Sequence, residues 1–388
     1  MTIAPERPLH LVPEVAPPLR TAPSTPSPAA AALTPERVEE LGRRLDAIRE
    51  RIIDERGERD AAYVRGIIRK QRHLEIGGRA LLFAGVLPPA WIAGTAMLAA
   101  AKILENMELG HNVLHGQWDW MRDPKIHSTT WEWDLVSSAA EWKVSHNYRH
   151  HTFTNVLGKD RDIGYGILRM TDEQPWNPYY LGNPLWNLLL SFFFEYGVAL
   201  HDLEVDEVLA GRTPKAEFRR RLKAIGRKIG RQAGKDYVLF PLLAGPFFLP
   251  VLLGNASANV IRNLWSHAVI FCGHFPDGTV MFTEEQLEGE TRGQWYLRQM
   301  LGSANLDGGP LFHLMTGNLS FQIEHHLFPD LPSNRYAEIA PEVRALCAEF
   351  GLPYVTGPLH RQYAQVVRTL ARLAVPPRVL SWFRSRSR

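Results

Sequence analysis

Four short motifs carry histidines at close, repeated spacing, and few folds accommodate them. "HNVLHG" places His111 and His115 four residues apart. "SHNYRHHT" holds His146, His150 and His151, "NLWSHAVIF" sets Asn263 four residues before His267, and "QIEHHLFPD" contains His325 and His326. On a helix, residues three or four apart share a face, so each motif can aim at least two side chains at one point. Imidazole suits iron, zinc, copper or nickel, and a tetrahedral structural zinc is full with four ligands. Eight histidines exceed the needs of one such ion, so the motifs point to a binuclear centre.

Composition restricts what else the chain can be. Its 388 residues carry a net charge of +3, a balance too mild to imply nucleic acid as a partner. Cys272 and Cys347 are the only cysteines, so one chain cannot build a disulfide framework, a thiolate zinc site or an iron–sulfur cluster. Residues 1–33, rich in Pro, Ala and Ser, read as a disordered tail without the apolar core of a signal peptide. Thr34 is placed to cap a helix with Pro35 in its first turn. Val38, Leu41, Leu45, Ile48 and Ile52 follow at helical spacing, so 34–76 read as an amphipathic cytoplasmic helical region.

From Gly77 to Ala101 the chain is nearly uncharged and meets the roughly 20-residue length needed to cross a bilayer. Pro88 and Pro89 interrupt it and suggest a shallow hairpin. A second apolar block, Tyr237 to Phe271, has room for two short crossings, with "LLGNASAN" as their turn. Leu185 to Leu200 is short, carries Glu195 and reads as an interfacial or re-entrant helix. The basic stretch before the second block belongs in the cytoplasm by the positive-inside tendency and suits anionic headgroups. A single first crossing with an external N-terminus, and a helical protein whose apolar runs are buried core, are the competing readings.

The ordered set "HNVLH", "HNYRHH" and "QIEHHLFP", with "NLWSH" before the last, resembles the membrane-bound fatty acid desaturases over roughly Gly77 to Tyr354. It is most similar to the actinobacterial acyl-CoA desaturases and to front-end desaturases, whose third motif begins with Gln. The resemblance implies an all-α integral membrane protein with about four transmembrane helices and a cytoplasmic, histidine-rich di-iron domain. A desaturase domain then spans 77–360, followed by a basic C-terminal tail at 361–388. It further implies two iron ions with O2 as co-substrate. The implied ligands are His111, His115, His146, His150, His151, His267, His325 and His326, with Asn263 approaching one iron through water. Gln322 stands where many acyl-CoA desaturases have histidine, a departure from the pattern.

Metal-bound imidazoles need their second ring N–H held, commonly by carboxylates. Glu108, Asp160 and Asp162 are the candidates. Lys143, Asn147 and Arg149 flank the second motif and suit the phosphates of CoA. The tryptophans of "TTWEWD" and Trp142 either pack the cytoplasmic domain or line an acyl tunnel. His10, His73, His127, His201, His274, His313 and His360 take ordinary roles in this reading.

The expected reaction is O2-dependent insertion of a cis double bond into a long-chain acyl-CoA, with stearoyl-CoA at carbon 9 implied by the resemblance. A front-end, linoleoyl-type or acyl-lipid desaturase, a di-iron hydroxylase and a non-catalytic membrane metal-binding protein are the alternatives. The ExxH pairs of soluble di-iron bundles are missing, since only Glu108–His111 fits, and HExxH is absent. The chain also lacks a haem motif and a dinucleotide fingerprint. An external NAD(P)H-dependent reductase or a ferredoxin is therefore expected to supply electrons. The expected location is the cell membrane, multi-pass, with the active site facing the cytoplasm.

Overall fold

The computed structural model describes residues 33–377 and residue 379. The tail expected over 1–33 lies outside the described residues up to 32, as do His10 and residues 380–388. Helix α1 (Pro35–Glu55) begins as its sequence requires, with Thr34 Oγ1 accepting from Arg37 N at 3.4 Å and Pro35 in the first turn. Its stripe of Val38, Leu41, Leu45, Ile48 and Ile52 is buried. Leu41, Leu45, Ile48 and Ile52 pack with Phe328, Tyr336 and Ile339 beside the third histidine motif. Each fully buried side chain of this kind contributes about 1.5–3 kcal/mol.

Helix α2 (Glu58–Phe83) passes without a break through residues 76 and 77, so the expected domain boundary does not coincide with an element boundary. It turns at residues 84–87 into α3 (Pro88–Ile103), and the two pack as a hairpin. Between the second and third motifs come α4 (Asn183–Phe192), α5 (Phe194–Asp202), α6 (Lys215–Ala233) and α7 (Phe248–His274). The stretch expected as one interfacial helix is two, broken at Phe193. Helices α8 (Arg292–Leu301), α9 (Gln322–Leu327), α10 (Tyr336–Glu349) and α11 (Leu359–Ala374) complete the helical framework. Two parallel three-residue strands, β1 (Asn305–Asp307) and β2 (Thr356–Pro358), tie α11 to the segment before the third motif.

Two further expectations change. "LLGNASAN" is not a turn but lies inside α7, and the turn falls at residues 244–247, where Gly245 takes φ +55°. The Asn residues that suggested a turn are buried cross-links: Asn255 Nδ2 donates to Asp236 O at 2.6 Å, and Asn259 Nδ2 to Asp236 Oδ2 at 3.2 Å. Gly254 lets α7 approach α2, since a Cβ there would meet Leu82 Cδ2 at 2.4 Å. Residues 361–374, expected to begin a basic tail, continue α11, whose Gln362, Val366, Leu370 and Leu373 are buried. Among the described residues no helix is long and apolar enough to cross a membrane, so the expected four or so transmembrane helices are not shown. Helix α3 is apolar but has 16 residues, whereas the longer α7 carries Asn255, Asn259, Arg262 and Asn263 on its length.

Candidate metal centre

The first histidine motif begins on the last residue of a widened helix, and the second lies largely within one. Leu104–His111, which continues α3, and Lys143–His150 are π-helical, a form that occurs mostly as short insertions at functional sites. Residues four apart still face one way: ring centroids are 4.7 Å apart for His111 and His115, and 4.9 Å for His146 and His150. The six-residue α9 presents His325 and His326 from the opposite side. Gly317, at φ +69°, brings the chain before α9 against the first motif, since a Cβ there would meet Met107 O at 2.3 Å.

These elements bring ring nitrogens into two adjoining groups. His111, His115, His146 and His325 form one, and His150, His274 and His326 the other; within each group the candidate ligand atoms all lie within 4.8 Å of one another. His151 lies between them, grouped with His325 and His326 and stacked on His326 at 4.3 Å. Seven of the eight expected histidines therefore converge. The eighth member is His274.

His267 is placed elsewhere. It sits seven residues before His274 on α7, roughly 10 Å lower along the helix axis, and its ring stacks on Phe271 at 4.0 Å. Asn263, its partner in the expected motif, donates Nδ2 to Phe192 O at 2.9 Å. Gln322 Nε2 lies 3.0 Å from His274 Nε2, with Gly273 leaving the room that Gln322 fills. His127 Nδ1 bonds to Thr129 and His313 Nδ1 to Ser320, so these two keep ordinary roles.

The ring orientations suit a metal. Six of the eight imidazoles use Nδ1 on a neighbour: His146 on Asp162 (3.1 Å), His150 on Asp160 (3.0 Å) and His274 on Gly302 O (3.2 Å). His111 Nδ1 reaches Asn112 Oδ1 at 3.1 Å, and His326 Nδ1 reaches Gln299 Oε1 at 3.1 Å. His325 Nδ1 lies 3.2 Å from the Tyr336 hydroxyl, which itself donates to Phe328 O. A donor proton on Nδ1 leaves the lone pair on Nε2. The Nε2 atoms of His115, His151, His325 and His326 are buried without a protein partner, as are both ring nitrogens of the outlying His267, which no other candidate ligand among the described residues joins. Buried polar atoms left so are uncommon, and a bound ion resolves those of the converging rings.

Burial also keeps most of these rings neutral, the form that ligates. It pushes His111 down to about 3 and His115, His151, His325 and His326 well below the usual histidine range, with the neighbouring imidazoles adding to the effect. For His150 burial acts in the same sense, but the carboxylates of Asp160 and Asp162 outweigh it and raise its pKa.

Two other expectations need correction. Glu108 touches no histidine; its carboxylate accepts from Tyr63 (2.9 Å), Asn318 (2.9 Å) and Ser333 (2.7 Å), and burial pushes it up to about 7. Lys143, Asn147 and Arg149 turn inward, donating to Ser128 O, Leu114 O and the Glu204 carboxylate. Their donors are thus engaged by the protein rather than offered to an anion. His201, expected in an ordinary role, has its Nε2 3.1 Å from Asp162 Oδ1. It directly follows the apolar run 185–200 and begins an acidic segment, so its sequence context carried no ligand-like signal.

Beside the histidines lies a narrow cavity of about 40 Å³ lined by His111, His146, His150 and His274 at one side and by Trp133, Trp142, Tyr165, Phe194 and Ile270 along its length. Trp133 and Trp142 thus pack the core and line a slot. The fatty acid desaturase sequence profile matches residues 87–358, which include every converging histidine. The chain belongs to the fatty acid desaturase family. The desaturase is 52% identical over 352 residues, 90% of this chain and 82% of its relative, to a Mycobacterium tuberculosis protein named NADPH-dependent stearoyl-CoA 9-desaturase. It is 28% identical to a Synechocystis sn-1 linoleoyl-lipid 6-desaturase, over 72% of this chain and 79% of that one. A bovine fatty acid desaturase 3 is 25% identical over 76% of this chain and 64% of its own length.

Proposed function

We propose that this acyl-CoA desaturase places a cis double bond at carbon 9 of stearoyl-CoA, using two iron ions held by the converged imidazoles. The observation that carries the reading is the set of eight converging histidines, six of them buried and His115 and His146 partly so, with Nδ1 of six of the eight bonded to a neighbour. His111, His115, His146 and His325 would hold one ion, His150, His274 and His326 the other, and His151 stands between. Bound iron supplies the O2-activating, strongly oxidising chemistry that an unactivated alkyl chain demands. The protein's part is to orient and to exclude water. Asp160 and Asp162 fix the second motif's rings, Tyr336 and Gln299 fix the third's, and the slot walls hold an alkyl segment in van der Waals contact beside them. The carbon-9 assignment follows the mycobacterial relative's name.

The same reading places the desaturase at the cell membrane, with the centre on the cytoplasmic side. Its support is a set of exposed apolar side chains, Leu87 and Ile92 on the first hairpin and Leu242, Leu243, Leu249 and Leu253 around the second turn. The basic α6 lies next to that surface in sequence and suits the cytoplasmic leaflet.

Electrons come from outside. Forming one double bond yields two electrons, and reducing O2 to two waters takes four, so a separate reductase or ferredoxin provides the remaining two from NAD(P)H. Purified protein, loaded with iron and supplied with stearoyl-CoA, O2, NADPH and a competent reductase system, should yield oleoyl-CoA by mass spectrometry. A hydroxylated product instead, or no O2 consumption at full iron content, would overturn the reading.

A further inference from the structure

The slot beside the histidines ends in charge. Its lining follows α7 from His274 through Ile270 and Ser266 to Asn263 and Arg262, and faces Phe194, Glu195 and Val198 of α5. Arg262 comes twelve residues before His274, so it lies roughly 18 Å lower on the helix axis. There its Nη2 is 2.5 Å from Glu195 Oε1, and both side chains are almost wholly buried, 1% and 3% exposed. Arg262 Nε donates to Asn263 Oδ1 at 3.0 Å and Nη1 to Asp134 O at 3.4 Å, which pins the guanidinium in place. Glu195 Oε2 and Ser266 Oγ, buried at the same end, have no protein partner.

We infer that the Glu195–Arg262 pair is a polar stop for the methyl end of the acyl chain, and so sets how many carbons extend beyond the metal-binding histidines. Hydrocarbon pressed against this end would strip water from free acceptors that nothing else satisfies, and desolvating charged groups is costly. Chain carbons that enter the slot therefore end before the pair. Asp134, which Arg262 bonds, and Trp133 stand between the pair and a larger polar cavity. Trp133 walls the slot from a separate polar cavity of about 800 Å³ that Arg72, Lys228 and Arg231 line. Its indole Nε1 donates to Ser137 O at 2.9 Å and its ring packs 4.8 Å from Trp142.

The inference rests on an acyl chain occupying this slot. Its test uses the iron-loaded enzyme with a reductase system and saturated acyl-CoA substrates lengthened two carbons at a time. Removing either charge alone strands the other, so both are replaced together; exchanging a buried pair for apolar residues is often neutral for folding. In Glu195→Leu/Arg262→Met the kcat/KM ratio of longer to preferred substrate should rise about tenfold or more, the scale on which an apolar pocket discriminates added methylenes. Ser266→Val, which adds bulk at the same end and keeps the pair, should move the ratio the other way, and it carries the test alone if the double variant does not fold. An unchanged chain-length profile in the folded variants, with an active wild type, overturns the inference and leaves the desaturase reading standing. Wild-type protein that makes no alkene from any acyl-CoA sinks both.

Discussion

His274 and His326 stand with ring centroids 4.6 Å apart and nearly perpendicular, although one ends the long helix α7 and the other belongs to the six-residue α9. His274 Nδ1 is held by Gly302 O. The pair belongs to the second histidine group, and His267 does not.

That geometry separates two substitutions. His274→Ala should lose about one bound iron per chain and nearly all turnover. His267→Leu, which exchanges a ring packed on Phe271 for another apolar filling, should keep its iron and most of its activity. Iron content by mass spectrometry decides the matter, and the opposite pattern would return His267 to the ligand set.

The carboxylates behind the second motif orient imidazoles rather than bind ions in this reading. Asp160→Asn should therefore weaken iron retention by about 10- to 100-fold, the usual cost of losing such a partner, while leaving the helical circular dichroism intact. Titration of the loaded protein with a chelator measures it. Unaltered retention would count against the role assigned to Asp160.

Glu108 makes stability fall with rising pH. Burial raises its pKa from 4.5 to about 7, so between these values the folded chain holds a proton that the unfolded chain releases. The stabilisation is full below pH 4.5 and is lost as pH rises through about 7, at a cost of about 3 kcal/mol for 1.36 kcal/mol per unit. Glu324, also raised to about 7 mainly by burial, acts in the same sense. Glu108→Gln should flatten part of the decline seen by thermal unfolding in detergent between pH 5 and 7. An equally steep decline in the variant would show that Glu108 is ionised throughout.

With stearoyl-CoA, O2 and NADPH alone, the purified chain should not turn over repeatedly. Adding a reductase system should start alkene formation, and coupling should weaken at high salt if a basic surface steers an acidic donor. Sustained turnover without any added protein would mean that the chain takes electrons from NADPH directly.

Local pattern was legible in the sequence where one stretch of chain suffices. Thr34, Pro35 and the apolar stripe from Val38 to Ile52 specify α1 because capping and helical periodicity are set by neighbours in sequence. The first two histidine motifs were likewise legible, since side chains four apart face together even on or beside widened π-helical turns. What spacing cannot convey is height along a helix relative to other helices. Asn263 and His267 have ligand-like spacing, but they lie too low on α7, and His274, in no motif, is level with His150 and His326. Glu108 sits beside the first motif and yet turns to Tyr63, Asn318 and Ser333, whereas His201, far from any motif, reaches Asp162. The Asn residues of "LLGNASAN" suggested a turn because in isolation they compete with helix, and only packing against Asp236 gives their side chains partners inside one. Such partners are fixed by how helices cross, which no single segment contains.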